Sequence, residues 1–258
     1  MDHPHFQLGF SAQHRAAMYD AGARTMKASK VLAILEDYLG SLAGLDHLDI
    51  GCSTGFLTLQ YGARFASSTG IDIDEAAVDY ARRHHCRDNI QFMVGDGART
   101  GLPEASFDVV TCTHIYEHVP DARQLMAEIH RVLKPGGICF FAAGNRFNWI
   151  EGHYHLPLLA AVPKPLGHAY LRLAGKGNYY YETHLSYWGL RRLVRAFDVI
   201  DYTLKVIQDP IRFSATDSVA PGSVKQRLGL RVLRLAYWLS PTYLWLLRKT
   251  RESARVHA

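Results

Sequence analysis

Glycines and carboxylates at the ends of apolar runs are the residues most able to do chemistry in this sequence. One apolar run ends at Asp49 and leads into a glycine-rich turn at residues 51–55, where glycine permits positive φ and close approach of a ligand. Asp72 ends the next run and can accept both hydrogen bonds of a ribose diol. Asp96 follows a third run and can accept a hydrogen bond from an adenine amino group. This pattern predicts a site for an adenosine-containing cofactor.

The elements that must position these residues follow a βαβ pattern. Short apolar runs alternate with helical patterns, which is typical of a parallel sheet with crossover helices. A ligand in such a fold binds outside the carboxyl ends of the strands, where the strand order reverses. We therefore expect an α/β fold with a mostly parallel, doubly wound sheet. Strands are predicted at residues 48–50, 69–73, 90–94, 107–112 and 138–142, and helices at residues 56–65, 75–84 and 122–133.

The regular alternation of strands and helices stops after Gly144. The following stretch is rich in aromatic residues, histidine, proline and glycine, and we predict a lid insertion there. A helix at residues 186–197 and a strand at residues 199–207 would then complete the core. The expected divisions are an N-terminal helical segment (1–44), the cofactor-binding core (45–144), the lid (145–185), the completion of the core (186–222) and a basic amphipathic helical tail (223–258).

Four motifs resemble, in order and spacing, the successive motifs of class I S-adenosylmethionine (SAM)-dependent methyltransferases. They are DIGCSTG at 49–55, GIDID at 70–74, GDGARTGLPEASFDVV at 95–110 and RVLKPGG at 131–137. Tyr116, Glu117 and His118 stand where the bacterial small-molecule branch of this family has LEH. The resemblance covers residues 45–144. It implies a Rossmann-like fold, SAM as cofactor and S-adenosylhomocysteine as product.

The resemblance also implies which residues contact the cofactor. The turn after the first strand surrounds the methionine part, Asp72 the ribose, and Asp96 with Gly97 the adenine. His114 falls at the end of the fourth strand, beside the transferable methyl group. The predicted cofactor-binding residues are Asp49, Gly51, Cys52, Ser53, Gly55, Asp72, Ile73, Asp96, Gly97 and His114.

Methyl transfer to a hydroxyl requires a base, because a neutral alcohol or phenol is a poor nucleophile. Histidine suits this task near neutral pH, and His114 is the first candidate because of its expected position. A structural or cofactor-contacting role is the alternative for His114, and His153, His155 and His184 are alternative bases. We expect the lid to supply the acceptor pocket, through Asn145, Arg146, Asn148, Tyr154, Tyr180 and Tyr181.

The abundance of histidine, fourteen residues, raises the question of a metal. His114 and His118 are four residues apart, as in the HExxH motif of zinc proteases. Glu117, however, directly precedes the second histidine, whereas that motif places glutamate after the first. We expect polar pocket histidines and no metal.

The positive charge of the chain is concentrated in its C-terminal tail. The net charge of the chain is +5. The residues from Gly222 onward include eight Lys and Arg and one Glu, a net charge of +7, so the rest of the chain carries −2. A nearly neutral body argues against a nucleic-acid substrate. Aromatic residues beside arginine in the tail predict peripheral contact with anionic lipid, or alternatively a helix packed on the domain or in a dimer. The acceptor is expected to be a small or lipid-linked molecule.

The cysteines are dispersed, without a CxxC pair, and the N terminus lacks a secretory pattern. These features predict reduced thiols and a cytoplasmic protein. Contact of the basic tail with lipid would make the protein membrane-associated.

The sequence thus predicts an enzyme, a SAM-dependent methyltransferase that acts on a hydroxyl of a small or lipid-like acceptor. A SAM-binding interaction protein without catalysis is one alternative. A nicotinamide-dependent oxidoreductase is another, disfavoured because Ser53 stands where the phosphate-binding G-x-G-x-x-G motif needs its second glycine.

Overall fold

Seven strands form one sheet at the centre of the computed structural model, which describes Gly9, Ser11 and residues 18–250. They are β1 (Asp46–Ile50), β2 (Ser67–Asp72), β3 (Ile90–Val94), β4 (Phe107–Thr113), β5 (Leu133–Gly144), β6 (Phe197–Asp201) and β7 (Thr242–Lys249). Their order is β3-β2-β1-β4-β5-β7-β6. The pairs up to β5 are parallel, whereas β7 runs antiparallel to both β5 and β6. The order reverses between β1 and β4, which is where such a fold binds ligands.

Helices lie on both faces of the sheet. Their starts follow local capping chemistry: the Asp74 side chain accepts a hydrogen bond from the Ala77 N–H, and Asp121 caps its helix in the same way. The helices are α1 (Ala21–Leu39), α2 (Phe56–Gly62), α3 (Glu75–His85), α4 (Ala122–Val132), α5 (Lys164–Leu173), α6 (Tyr187–Leu193), α7 (Thr203–Gln208) and α8 (Val224–Leu235), with 3₁₀ turns at Leu159–Ala161 and Tyr237–Leu239.

Strands β5 and β7, each of which has a neighbour on either side, are buried on both faces. Along β5, Phe141 packs on the side of α4 and α6, whereas Phe140 packs on the side of α1, α2 and α7. Trp245 and Leu246 of β7 divide between the two sides in the same way. Successive side chains of a strand point to opposite faces, so these strands tie both layers of helices to one sheet.

The predicted mostly parallel, doubly wound α/β fold is confirmed. Each of the first five predicted strands and the three predicted crossover helices is present, with ends that differ by up to five residues. The predicted strand at residues 199–207 is wrong, because the strand is Phe197–Asp201 and Thr203–Gln208 is helical. The segment 145–185 contains α5 and one 3₁₀ turn. Parts of the predicted terminal segments (residues 1–8, 10, 12–17 and 251–258) lie outside the described residues.

The predicted helical tail is wrong for residues 242–249. Helix α8 occupies residues 224–235, but the chain then enters the sheet as β7. Trp245, Leu246 and Leu247 are completely buried, because a strand between two others must be apolar on both faces. These residues are therefore unavailable to a lipid surface. No helix between residues 18 and 250 is both long and apolar enough to cross a membrane.

Leu246→Ala should lower the free energy of unfolding by about 2–5 kcal/mol, because it leaves a cavity in a packed core. Leu235→Ala is the matched control: this leucine, at the end of α8, is 85% exposed, and its loss should change stability by no more than about 0.5 kcal/mol. Urea unfolding measures both. Equal effects would contradict the buried position of β7.

Candidate functional site

Two glycines with positive φ shape the turn between β1 and α2. Gly51 has φ +76°, and a Cβ at this position would lie 2.1 Å from the Cδ1 of Ile115. Gly55 has φ +79°, and its Cβ would lie 2.8 Å from the ring of Phe92. The N–H of Gly51 donates to the carbonyl of Ile71 at 2.8 Å. Since a side chain fits at neither position, glycine is required for this turn to lie close against the edge of the sheet.

Asp72, at the end of β2, is the carboxylate that organises the neighbouring backbone. Its Oδ2 accepts a hydrogen bond from the N–H of Ser53 at 2.7 Å, and its Oδ1 accepts one from the N–H of Asp74 at 2.9 Å. Burial raises the pKa of Asp72, and these backbone donors partly offset that rise. Each carboxylate oxygen has two lone pairs. Asp72 can therefore hold the turn and still accept hydrogen bonds from a ribose diol.

A cavity of about 470 Å³, here called the cleft, opens at this edge of the sheet. It brings together residues from the turn, from the ends of β2 and β4, and from the segment 145–185. Side chains that the sequence did not single out also line it, among them Arg24 and Lys27 of α1 and Asp74. The predicted site residues in its lining are Gly51, Ser53, Asp72, His114, His153 and His155.

The other predicted cofactor residues lie outside this lining. Asp49 is buried beneath the turn, where its carboxylate accepts hydrogen bonds from the hydroxyls of Thr58 (2.6 Å) and Thr111 (2.7 Å). Burial raises the pKa of Asp49 to about 6. Asp96 is exposed in the turn after β3 and accepts a hydrogen bond from the N–H of Ala98 at 2.8 Å. Also outside the lining are Cys52, Gly55, Ile73 and Gly97.

His114, directly after β4, combines an unusual backbone with a buried carboxylate partner. Its φ is +57°, a left-handed conformation that is costly for a residue other than glycine and often marks a functional position. Its Nδ1 lies 3.1 Å from the Oε1 of Glu117, which is 1% exposed. Burial by itself raises the pKa of Glu117, but the His114 hydrogen bond and neighbouring histidines lower it to about 2. A carboxylate that accepts from Nδ1–H leaves Nε2 as the proton acceptor.

A second cavity, here called the chamber, has a volume of about 490 Å³ and meets the cleft at Lys27, Thr113 and His114. It lies between α1, α7, the first residues of β7 and the turn that precedes β7. The ammonium groups of Lys30 and Lys225 at its edge are engaged, by Asp217 at 3.2 Å and by the Ser218 carbonyl at 2.8 Å. Its apolar lining includes Val31, Phe140, Ala142, Val206, Ile207 and Leu244.

Lys27 stands between the two cavities. Burial and, to a smaller extent, the nearby charge of Arg24 lower its pKa to about 8, against the attraction of Glu117. No hydrogen bond or salt bridge joins its ammonium to any residue between 18 and 250. The only sequence signal was its spacing, four and eight residues before the buried Val31 and Leu35, which puts a lysine on the buried stripe of α1.

The residues predicted to build an acceptor pocket in the lid do not line either cavity. Asn145 is completely buried, and its amide donates to the carbonyls of Trp238 (2.7 Å) and Ser240 (2.8 Å), so its side chain supports the fold here. The buried Tyr180 instead pairs its hydroxyl with the Nδ1 of His184 at 3.0 Å. Also outside both linings are Arg146, which donates to the Ala161 carbonyl, Asn148, Tyr154, Tyr181 and the alternative base His184.

A larger groove of about 790 Å³ runs between α4 and α6. None of the predicted site residues lines it. Size alone therefore does not locate the site, whereas the cleft and the chamber share His114.

Comparison with known proteins agrees with this geometry. Residues 48–141 match the family model described as a methyltransferase domain. The ubiquinone biosynthesis O-methyltransferase of Pseudomonas putida (strain GB-1) is 39% identical over 114 residues, which are 43% of this chain and 49% of that protein. The chain thus matches about half the length of such curated relatives.

Solved structures show the same fold at low identity. The methyltransferase in complex with the Haloferax volcanii Trm112 methyltransferase activator has a TM-score of 0.56 at 19% identity, over 94% of this chain and 96% of that one. The [4+2]-cyclase SpnF has a TM-score of 0.53 at 18% identity, over 86% of this chain and 80% of its own. Residues 48–141 are therefore similar to a methyltransferase domain, and the chain shares the fold of these solved structures.

Proposed function

We propose that this protein transfers a methyl group from SAM to a hydroxyl of an apolar small molecule. The observation that carries the proposal is the position of His114 where the cleft meets the chamber, with Nδ1 held by a buried carboxylate. The relatives named ubiquinone biosynthesis O-methyltransferases support oxygen as the acceptor atom.

The cleft has the features that a bound SAM needs. The turn at Gly51 has no room for a Cβ, and Asp72 keeps lone pairs for the ribose hydroxyls. SAM, when bound, supplies an electrophilic methyl group. We propose that Ser53 and the Gly51 turn hold its methionine part, and that Asp96 and Gly97 hold the adenine at the end of β3. Asp49, Cys52, Gly55 and Ile73 would support this binding surface from behind.

The chemical work of the protein is then to position the acceptor and to remove its proton. Nε2 of His114 accepts the proton of the hydroxyl, and the carboxylate of Glu117 stabilises the imidazolium that results. The apolar walls of the chamber exclude water and hold the acceptor oxygen toward the cleft. His153 and His155 also line the cleft and are the alternative bases.

The chamber suggests the chemical class of the acceptor. Its walls suit an apolar ring or chain, and the ammonium of Lys27 at the junction suits an anionic substituent. We propose an apolar hydroxylated molecule that carries a carboxylate or another anion. The acceptor therefore enters between α1, α7 and β7 rather than through the segment 145–185.

A lipid-linked acceptor would bring the protein to a membrane surface, and we propose that only residues 224–239 make such contact. Leu228, Leu235 and Trp238 are exposed there, beside Arg231 and Arg234. Apolar and basic side chains on one short surface suit an anionic bilayer. Co-sedimentation of the protein with anionic vesicles, compared with Trp238→Ser, tests this contact.

Asp72→Ala should lower the affinity for SAM and S-adenosylhomocysteine by about 10- to 100-fold, because charge-assisted hydrogen bonds are lost. Calorimetric titration measures this, with NADH as the competing ligand. Asp79→Ala is the matched control, an exposed carboxylate of α3 that pairs with Arg82, and it should bind SAM normally. Preference for NADH would favour an oxidoreductase. SAM binding without turnover on any acceptor would favour a non-catalytic protein.

His114→Asn should lower kcat by about 10²–10⁴-fold while SAM affinity is retained, because the base is lost. Asparagine tolerates the left-handed backbone of this position. Turnover is measured as S-adenosylhomocysteine release with a panel of phenolic acceptors. His155→Asn is the matched variant, since His155 also has positive φ and lines the cleft. If only His155→Asn lost turnover, the base would be His155, and the methyltransferase proposal would stand.

Lys27→Met should stabilise the fold at neutral pH by up to about 3 kcal/mol and weaken binding of an anionic acceptor. The pKa of Lys27 falls from 10.5 to about 8 on folding, so its charge is buried at a cost below pH 8. Wild-type stability rises between pH 8 and 10.5, where the unfolded chain binds more protons, and the advantage of the variant disappears there. Thermal unfolding at several pH values measures this.

Lys30→Met is the control for Lys27→Met, because the ammonium of Lys30 already pairs with Asp217. It should bring no gain in stability. Equal behaviour of the two variants would mean that Lys27 is not an uncompensated buried charge.

A further inference from the structure

A second group of titratable side chains lies where the segment 145–185 meets the turn after β4. His118 comes from that turn, and His153 and Glu182 come from the segment. Each can offer one ligand atom, and these atoms all lie within 4.8 Å of one another. The Nδ1 of His118 is 3.9 Å from the Oε1 of Glu182, and the rings of His118 and His153 are 4.7 Å apart. Separations of this size leave room for an ion between the three groups.

Glu182 carries the strongest signal in this group. Its side chain is nearly inaccessible, with the residue 4% exposed. Among the described residues, no donor reaches its Oε2. A buried carboxylate oxygen without a partner is costly and calls for a cation or a donor. The 3.9 Å between its Oε1 and the Nδ1 of His118 is too long for a hydrogen bond between these two atoms.

The neighbouring Glu151 forms a hydrogen bond with His153, as carboxylates do with the histidine ligands of metal sites. Its Oε1 lies 2.7 Å from the Nδ1 of His153. Its Oε2 accepts hydrogen bonds at 2.8 Å from the N–H groups of His153 and Tyr154. Such a carboxylate fixes the tautomer and the ring orientation, so that the other nitrogen, Nε2, serves as the ligand.

We propose that His118, His153 and Glu182 bind one divalent transition-metal ion, with zinc as the best match. Two imidazoles and one carboxylate form a donor set that suits zinc, and three protein ligands leave a coordination position open. His118 and His153 also line the cleft, so an ion held by them would lie beside it. The ion joins the segment 145–185 to the core, because two of its ligands belong to that segment and one to the turn after β4.

A second grouping, Glu151, His153 and His184, shares one histidine with this site. It is the poorer choice, because both oxygens of Glu151 accept hydrogen bonds and the Nδ1 of His184 pairs with Tyr180. The inference departs from the expectation of no metal drawn from the sequence. The three ligands lie far apart along the chain, so no local spacing reveals them.

The test is titration of the full chain, free of any affinity tag and stripped of metal by a chelator, with Zn²⁺ by calorimetry and Co²⁺ by visible absorption. We expect one ion per chain and the intense bands of a low-symmetry Co²⁺ site. Glu182→Gln should weaken zinc binding by about 100-fold or more, and Glu151→Gln by about 10- to 100-fold. His118→Asn should repeat the effect of Glu182→Gln through a different ligand.

His155→Asn is the matched control, a histidine of the same segment that belongs to neither grouping, and it should bind zinc as the wild type does. SAM titration of every variant shows whether it is folded, and it reports on the cleft separately from the metal. Absence of zinc binding by the wild type would overturn the proposal. So would unchanged affinity in both Glu182→Gln and His118→Asn, or an equal loss in His155→Asn.

Discussion

Strand β7 runs antiparallel between β5 and β6, and its pairing with β5 joins residues 138–144 to residues 242–248. This pairing places the last described part of the chain inside the sheet, between two other strands. It places Phe140 and Ala142 of β5 beside Leu244 of β7, which together form one wall of the chamber. The carbonyl of Ala142 also accepts the N–H of His114 at 2.9 Å. The position of the candidate base His114 thus depends on the position of β5, which in turn depends on its pairing with β7.

The site concentrates charges that folding has removed from water. Burial raises the pKa of Asp49 to about 6 and lowers that of Lys27 to about 8. Glu117 is buried as well, and His114 holds a left-handed backbone beside it. Each of these features costs stability, and the packed layers on both faces of the sheet offset that cost. Such groups cluster where a site must bind and react, and here they cluster around one edge of the sheet.

The fold of this chain does not by itself identify the reaction that the protein catalyses. The [4+2]-cyclase SpnF shares the fold at a TM-score of 0.53, so the fold by itself does not name the reaction. Methyl transfer is supported instead by the match of residues 48–141 and by the contacts of Gly51, Asp72 and His114. The segment 145–185 differs in character, because its polar side chains mostly bond to one another or to the core. Asn145 and Tyr180 are examples.

Local patterns in the sequence determined the alternating strands and helices, the glycine turn at residues 51–55 and the carboxylate Asp72. These depend on short-range rules: the period of apolar residues, the φ that glycine permits, and the place of a residue at the end of a strand. The same rules found His114, whose position follows from the end of β4.

Only the tertiary structure decided the rest. The apolar run at residues 243–247 has the length of a buried strand, but its neighbours β5 and β6 are distant in sequence, so the pattern alone did not separate it from a surface helix. The folded chain brings Lys27 of α1 into one cavity lining with Thr113 and His114, whereas the amide of Asn145 bonds to the chain before β7. His118, His153 and Glu182 meet for the same reason. Contacts between residues far apart in the chain depend on how the elements pack, and the spacing of residues within one element does not reveal that packing.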